Sequence, residues 1–407
     1  MGYQQLKYLI NFLFFIFFTT IVTIKGAYDV APFILLLISF FYLIKNYNSI
    51  TINNIKKNYI YAVSAYYFIS LLVVIINHDP INSLKTDNFL LLSIPLLLLV
   101  STYKPSITFI ILVFSISCAI YGLTAIYNVL FLHIYRAFDF IHPIPAGAII
   151  ITMVILCFTL SFYSFSKKNI VTGLLTTSAA IIGLIGNLLT GSRGTWLIIP
   201  IAFIVLIFIY GKAFRKITFI LSSIFLSLII IASFIPQTGI QTRYNQAVSD
   251  ITQYFDNTNK QTSIGMRFEL WRSAWEGIKE KPILGLGKLG MKEKRIQQSN
   301  TADFPTTLKD YPHTHNQFIE QTFYRGAIGL IVLVILLCTF LFHFIKSYRN
   351  KDLSVEERTI ALLGIMNILA LLSFSLSDAL LRLKEYAMFF YISNTIFYSM
   401  LTSIREK

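Results

Sequence analysis

The side chains best suited to chemistry lie in Tyr311-Pro312-His313-Thr314-His315-Asn316-Gln317-Phe318-Ile319-Glu320, at the end of the chain's one long hydrophilic segment, Pro236 to Arg325. A histidine titrates near neutral pH, so it can take a proton from an attacking hydroxyl. If a helix has begun by His313, residues two apart point about 200° from each other and cannot share a site. His315 then lies on the face of Ile319 and Thr322, while His313 sits in the entry turn behind Pro312. His315 is therefore the favoured proton acceptor. The plainer alternative is an interfacial histidine hydrogen-bonded at a helix start.

Two arginines are placed to meet an anion. Arg193 lies in Thr190-Gly191-Ser192-Arg193-Gly194-Thr195-Trp196, a tight turn between two apolar runs. Flanking glycines let the backbone approach a ligand, and a guanidinium grips a phosphate through two hydrogen bonds. Arg267 lies in Ser263 to Ile278, which reads as an amphipathic helix capped by Thr262 or Ser263 and stopped by Pro282. In the first turn its charge adds to the unpaired amides and the positive end of the helix dipole. The plainer alternatives are an Arg193 that reaches to lipid headgroups and an Arg267 that is a solvated charge, as Arg272 is expected to be. Asp378 ends an apolar run with Arg382 four residues on. The two form a helix-end ion pair, or Asp378 orients a polar group in the site. Phe140 to Gly147, with His142 and two prolines, either positions lipid or sugar or only sets a helix start. Lys288, Lys292, Lys294 and Arg295 form a basic patch in the polar stretch 288–307, expected to be a mobile solvated loop.

A membrane must position these groups. The 407 residues are 56% hydrophobic and 13% charged, with mean hydropathy +0.68, whereas a soluble domain is roughly 25% charged. The apolar runs mostly exceed the ~18 residues that mark a transmembrane helix and lack strand alternation, so the fold class is an all-α integral membrane protein. Twelve spans are predicted, near 8–24, 27–44, 58–77, 88–103, 106–132, 145–166, 170–190, 195–211, 217–235, 326–345, 359–377 and 385–402. One set of connections carries sixteen Lys and Arg and the opposite short ones six, which puts both termini in the cytoplasm. The chain then divides into transmembrane helices 1–9 over 1–235, an outward-facing helical loop over 236–325 and helices 10–12 over 326–407, with no soluble C-terminal domain.

The net charge of +15 follows that loop asymmetry, so no nucleic-acid partner is needed to explain it. Cys118, Cys157 and Cys338 fall inside predicted spans, which excludes a disulfide framework or metal knuckle. No Asp-x-Asp motif, Walker loop, His-Glu-x-x-His or Gly-x-Ser-x-Gly occurs, against a nucleotide-sugar or metal-dependent enzyme. No cofactor is expected.

With these motifs the chain resembles the O-antigen ligases of lipopolysaccharide biosynthesis, within the group that includes O-antigen polymerases and bacterial protein O-oligosaccharyltransferases. Gly191-Ser192-Arg193-Gly194 is similar to the family's arginine-bearing turn, Gly265-Met266-Arg267 to its loop arginine, and His313-Thr314-His315-Asn316-Gln317-Phe318-Ile319-Glu320 to its His-x-His-Asn signature. The resemblance implies about twelve transmembrane helices with one large periplasmic loop, similar to C-type glycosyltransferases, in the bacterial inner membrane. It implies a donor glycan on undecaprenyl pyrophosphate and a lipid A core acceptor, joined at the periplasmic face with inversion and without metal. By matching position Arg193 and Arg267 would bind the pyrophosphate and His315 would bind or activate the acceptor hydroxyl. Asp378, His313 and Asn316 would support them.

The nearest rival is a polymerase, which takes a second lipid-linked glycan as acceptor; a protein O-oligosaccharyltransferase is another. From a different class, a lipid-glycan flippase is disfavoured by the lone outer loop, the absence of repeat symmetry and the scarcity of charge inside the spans.

Overall fold

Within lipid an amide finds no partner but its own chain, so long apolar runs close into helices. The computed structural model describes residues 2–402 apart from 211–222, 224–226, 228–229 and 231–239, with the backbone alone for Arg193 and 240–244. Among the described residues there is no strand. The chain begins with α1 (Tyr3–Thr20), α2 (Ala27–Lys45), α3 (Asn54–Ile76), α4 (Lys85–Leu91) and α5 (Ser93–Thr102). It continues through α6 (Ile107–Ile126), α7 (Pro143–Ser166), α8 (Ile170–Leu189) and α9 (Ile198–Tyr210). Later come α10 (Ile240–Phe255), α11 (Ser263–Glu280), α12 (Gly287–Ser299), α13 (Gln317–Arg349), α14 (Val355–Ser375) and α15 (Lys384–Met400). Among the described residues eight helical segments are long and apolar enough to cross a membrane. The chain is a multi-pass, all-helical membrane protein. Helices cover eleven of the twelve expected spans; the ninth, 217–235, lies almost wholly outside the described residues.

The centre of the bundle is α7, buried without a break from Pro145 to Ser164, as a helix that is apolar all round must be. Pro143 opens it, where a missing N–H costs nothing, and the His142 ring accepts the Ile144 N–H at 3.4 Å. Helices α6 and α8 meet almost backbone to backbone. A Cβ on Gly122 would lie 2.1 Å from the Ile182 carbonyl oxygen, and one on Gly186 would lie 2.7 Å from Gly122 Cα.

The hydrophilic segment folds as a layer of helices over one end of this bundle. Leu270, Phe304 and Leu308 form one small core, and Ala274, Leu286, Met291 and Phe323 a second. The stretch expected to be mobile, 288–307, holds all of α12 but its first residue. Its start is held from elsewhere, because Asp79 beyond the end of α3 accepts the N–H groups of Lys288 at 2.6 Å and Leu289 at 2.9 Å. The expected basic patch is dispersed. Arg295 is buried and donates to the Tyr311 carbonyl at 3.0 Å, while Lys294 pairs with Glu280. Nor is Arg272 a solvated charge. It pairs with Glu269 and lies 4.0 Å from the Phe304 ring centroid.

Below this layer α13 runs into the bundle, interrupted at Gly326 (φ 65°, ψ −169°). At this point its backbone pairs with a preceding turn, since Ala327 donates to Pro282 O at 2.8 Å and Leu286 donates to Phe323 O at 3.1 Å. A Cβ at Gly326 would lie 2.2 Å from Ile283 O, so both its φ and its surroundings require glycine. One residue earlier, Arg325 forms a buried ion pair with Asp87 of α4 and donates to the Tyr66 hydroxyl of α3 at 2.7 Å.

Removing one partner of such a pair strands the other charge. Asp87→Ala is expected to destabilise the protein by about 3–5 kcal/mol, measured by unfolding in detergent, whereas the double variant Asp87→Leu with Arg325→Met recovers much of that loss.

Candidate functional site

Three connections converge at this end of the bundle: residues 311–316 before α13, residues 376–383 between α14 and α15, and the turn 190–197 after α8. In the first, the Asn316 side chain accepts the N–H groups of Phe318 at 3.0 Å and Ile319 at 3.1 Å, so the helix starts at Gln317 and not near His313. The angular argument that separated the two histidines therefore does not apply. His315 takes a left-handed backbone, φ 54°, which brings its ring to 4.0 Å from that of His313. Both face one carboxylate. His313 Nδ1 lies 3.6 Å from Asp378 Oδ1, and His315 Nδ1 lies 3.5 Å from Asp378 Oδ2.

Surrounding bonds hold this arrangement. Trp271 of α11 donates its indole N–H to Thr314 O at 2.8 Å, and the Thr314 N–H donates to Glu320 at 2.8 Å. The Leu381 N–H donates to the Gln317 side chain at 3.0 Å, joining the second connection to α13. Asp378 thus faces the imidazoles, which favours the orienting alternative over a helix-end pair with Arg382.

Charge states follow from this packing. Burial alone would raise Asp378, but the hydrogen bond from His315, the charges of the two histidines and the Ala379 N–H at 2.7 Å together hold it below the usual carboxylate value. Burial, then the charges of Arg382 and His315, push His313 down to about 3. It is neutral near pH 7, in accord with its Nδ1 accepting the His315 N–H at 3.2 Å. His315 Nδ1 is buried and has no hydrogen-bond partner within ordinary geometry, so a proton there faces Asp378 and leaves Nε2 able to accept one. The 3.5 Å separation is long for a hydrogen bond, and such contacts commonly tighten when substrate binds. His142 stands close enough for its charge to be coupled to Asp378 and His315, and burial lowers its pKa.

Beside this cluster is a cavity of about 1070 Å³ lined by Asp378, Arg267, Asp250, Arg136 and, from the turn, Gly191, Ser192, Gly194, Thr195 and Trp196. The turn is rigidly mounted. Trp196 donates its indole N–H to Asn187 at 3.0 Å, and Asn187 donates to Gly147 O of α7 at 2.7 Å. Arg193 opens the short 3-10 turn Arg193–Leu197, and the carbonyl of its neighbour Gly194 lies 3.5 Å from the Ser377 hydroxyl. Arg267 is the fifth residue of α11, just past the first turn. The amides expected to assist it are engaged, Ile264 N–H by Asp250 at 3.2 Å and Gly265 N–H by Thr262 at 3.1 Å. An anion here would meet the Arg267 side chain rather than the bare helix start.

The sequence reading did not single out Arg136. It lies in one of the expected short outer connections, which together carry only six basic residues, and that scarcity was the signal. Among the described residues neither Arg136 nor Arg267 belongs to an ion pair. His313, His315 and Asp378 each bring one possible metal-ligand atom to within 4.8 Å of the others, the one such grouping among the described residues. The cluster is therefore suited to proton transfer, or to holding a metal through three ligands.

A family model described as O-antigen ligase matches residues 178–334, which include the turn, α11 and the histidine segment. Over 390 residues the chain is 31% identical to an uncharacterised protein of Haemophilus influenzae, covering 95% of this chain and 97% of that one. It is 28% identical over 207 residues to an O-antigen ligase of Escherichia coli, a match spanning 49% of this chain and 47% of the relative.

Because His313 is held near 3 when folded and sits near ~6.5 when unfolded, the unfolded chain binds the extra proton as pH falls between those values. Stability should decline over that window, and His313→Gln should remove part of the decline in melting curves taken from pH 7 to pH 4.

Proposed function

Since the chain belongs to the O-antigen ligase family, we propose that it transfers a glycan from undecaprenyl pyrophosphate to a hydroxyl of lipid A core, as an inverting, metal-independent glycosyltransferase. The observation that carries this reading is the His313, His315 and Asp378 cluster, whose Asp378 lines a cavity shared with Arg267 and with residues that flank Arg193.

In the proposed step the acceptor oxygen attacks the anomeric carbon while the bond from that carbon to the pyrophosphate oxygen breaks. His315 Nε2 takes the hydroxyl proton, and Asp378 orients the ring and stabilises the imidazolium that forms. The electron pair leaves on the pyrophosphate, where Arg267 and Arg193 offset the growing negative charge. Neutral His313 and the Asn316 cap position the segment. The setting is the bacterial inner membrane, with both termini cytoplasmic and this end of the bundle periplasmic. Support for that placement comes from the basic residues of the connections.

Glycan transfer by the purified protein in EDTA, from undecaprenyl-pyrophosphate glycan to lipid A core, tests the proposal. Losing Arg193 or Arg267 should raise the barrier by about 2.7–4 kcal/mol, or 10²–10³ in rate. His315→Ala should cost roughly 10²–10⁴. Longer glycans on the donor lipid would instead make the protein a polymerase. Activity lost in EDTA and restored by Zn²⁺ would turn the cluster into a metal site, and no product under any of these conditions would sink the enzyme reading.

Asp378→Asn is expected to leave donor binding intact, lower turnover and shift the pH profile of transfer, which a purely structural carboxylate would not do.

A further inference from the structure

Away from the cavity, the outward ends of two spanning helices meet the turn that joins α11 to α12. Asn77 closes α3, and Ile75 and Ile76 just before it are exposed. The spanning part of α13 starts at Gly326, where the Ile328 N–H donates to Ile283 O of the turn at 3.3 Å. Ile283 is exposed as well, so an apolar rim without a protein partner passes from α3 to the turn.

Three lysines stand on this rim. Lys281 donates to the Asn77 side chain at 3.1 Å. Lys288 follows Gly287, where a Cβ would lie 2.6 Å from Asn77 Cβ, and Lys279 lies over the Trp275 ring at 5.6 Å. These lysines and Trp275 are exposed, and among the described residues none of the three belongs to an ion pair. Nearby acids are engaged elsewhere. Glu280 pairs with Lys294, Glu276 accepts from Gln298 at 2.8 Å, and Asp79 accepts the two amides that open α12. Lysine and tryptophan over exposed isoleucine suit a membrane–water interface, where the stems rest on apolar groups and the ammonium groups meet phosphates. The rim lies on the side proposed above as periplasmic, so the topology rule does not account for its charge.

Its place on α11 gives the charge a use. Arg267 lines the cavity near the start of this helix, Trp271 holds Thr314 between the histidines from its middle, and Lys279 lies in its last turn. Twelve residues of helix put Lys279 about 18 Å along the axis from Arg267. We propose that Lys279, Lys281 and Lys288, with Trp275, bind the phosphate groups of a phosphorylated acceptor glycolipid in the outer leaflet, whose sugars then reach back along α11 to His315. The inference rests on the acceptor class proposed above and anchors that acceptor at the end of α11 opposite the cavity.

Binding to the purified full chain in detergent tests this, with bis-phosphorylated lipid A, its dephosphorylated form and phosphatidylglycerol as probes. The wild type should bind phosphorylated lipid A about tenfold or more tighter than either of the others. Lys279→Gln, Lys281→Gln and Lys288→Gln should each weaken it about fivefold, and the triple variant about 10²-fold, the size expected of lysines at a charged lipid surface. Lys279→Arg, Lys281→Arg and Lys288→Arg together should keep the binding. In the transfer assay the triple Gln variant should raise the KM for lipid A core by a similar factor and leave kcat and the KM for the donor unchanged, a split that a misfolded protein would not show. Equal affinity for phosphatidylglycerol or for dephosphorylated lipid A would overturn the proposal, as would an unchanged acceptor KM in the triple variant. Lysine-dependent binding of phosphorylated lipid A with no glycan transfer would remove the transferase reading and leave this site standing. Transfer indifferent to the three lysines would do the reverse.

Discussion

Two imidazoles are drawn up against one buried carboxylate, and the rest of the site depends on that arrangement. A carboxylate out of water is costly unless it is paired, and Asp378, at 3% exposed, accepts the Ala379 N–H and is faced by His315 from a segment more than sixty residues earlier in the chain. The requirement propagates. For both rings to reach Asp378 the helix must start late, which the Asn316 cap achieves, and His315 must accept a left-handed backbone. Thr314 between them is then fixed by Trp271 on one side and Glu320 on the other. The cluster is held by the hydrophilic layer and the bundle together.

The same economy governs the cavity. Its two described arginines are left without acidic partners, while the two carboxylates on its walls are already engaged, Asp250 by the start of α11 and Asp378 by the histidines. A chamber arranged in this way keeps its positive charge available to an incoming anion. Because Asp250 occupies the helix start, the charge is concentrated on flexible guanidinium groups that can follow a phosphate as it moves.

Local pattern in the sequence carried most of the architecture. Apolar runs marked the spans, Thr262 marked the start of α11, and the histidine segment stood out by residue type. What it missed depends on distance along the chain. The helix α12 is capped by Asp79 from 209 residues away, and Arg325 meets Asp87 across 238, so neither leaves a local signature. The late start of α13 is a related case: Pro312 suggested an entry, but only the bonds made by Asn316 decide the first turn. Arg136 was visible only as an exception to a charge rule, since nothing near it in sequence predicts a cavity.

Those long-range contacts have a consequence for biosynthesis. Asp79 and Asp87 are made early, their partners Lys288 and Arg325 much later, and Asp378 almost last. While the chain is being made, the layer that carries Trp271 and the histidines has its anchors waiting but lacks the carboxylate that brings the rings together. The contacts that hold the layer can therefore form before the site is complete, and the histidines meet Asp378 only once the chain beyond α14 has been made. In the order of synthesis the shared carboxylate is thus the last of the three clustered residues to be made.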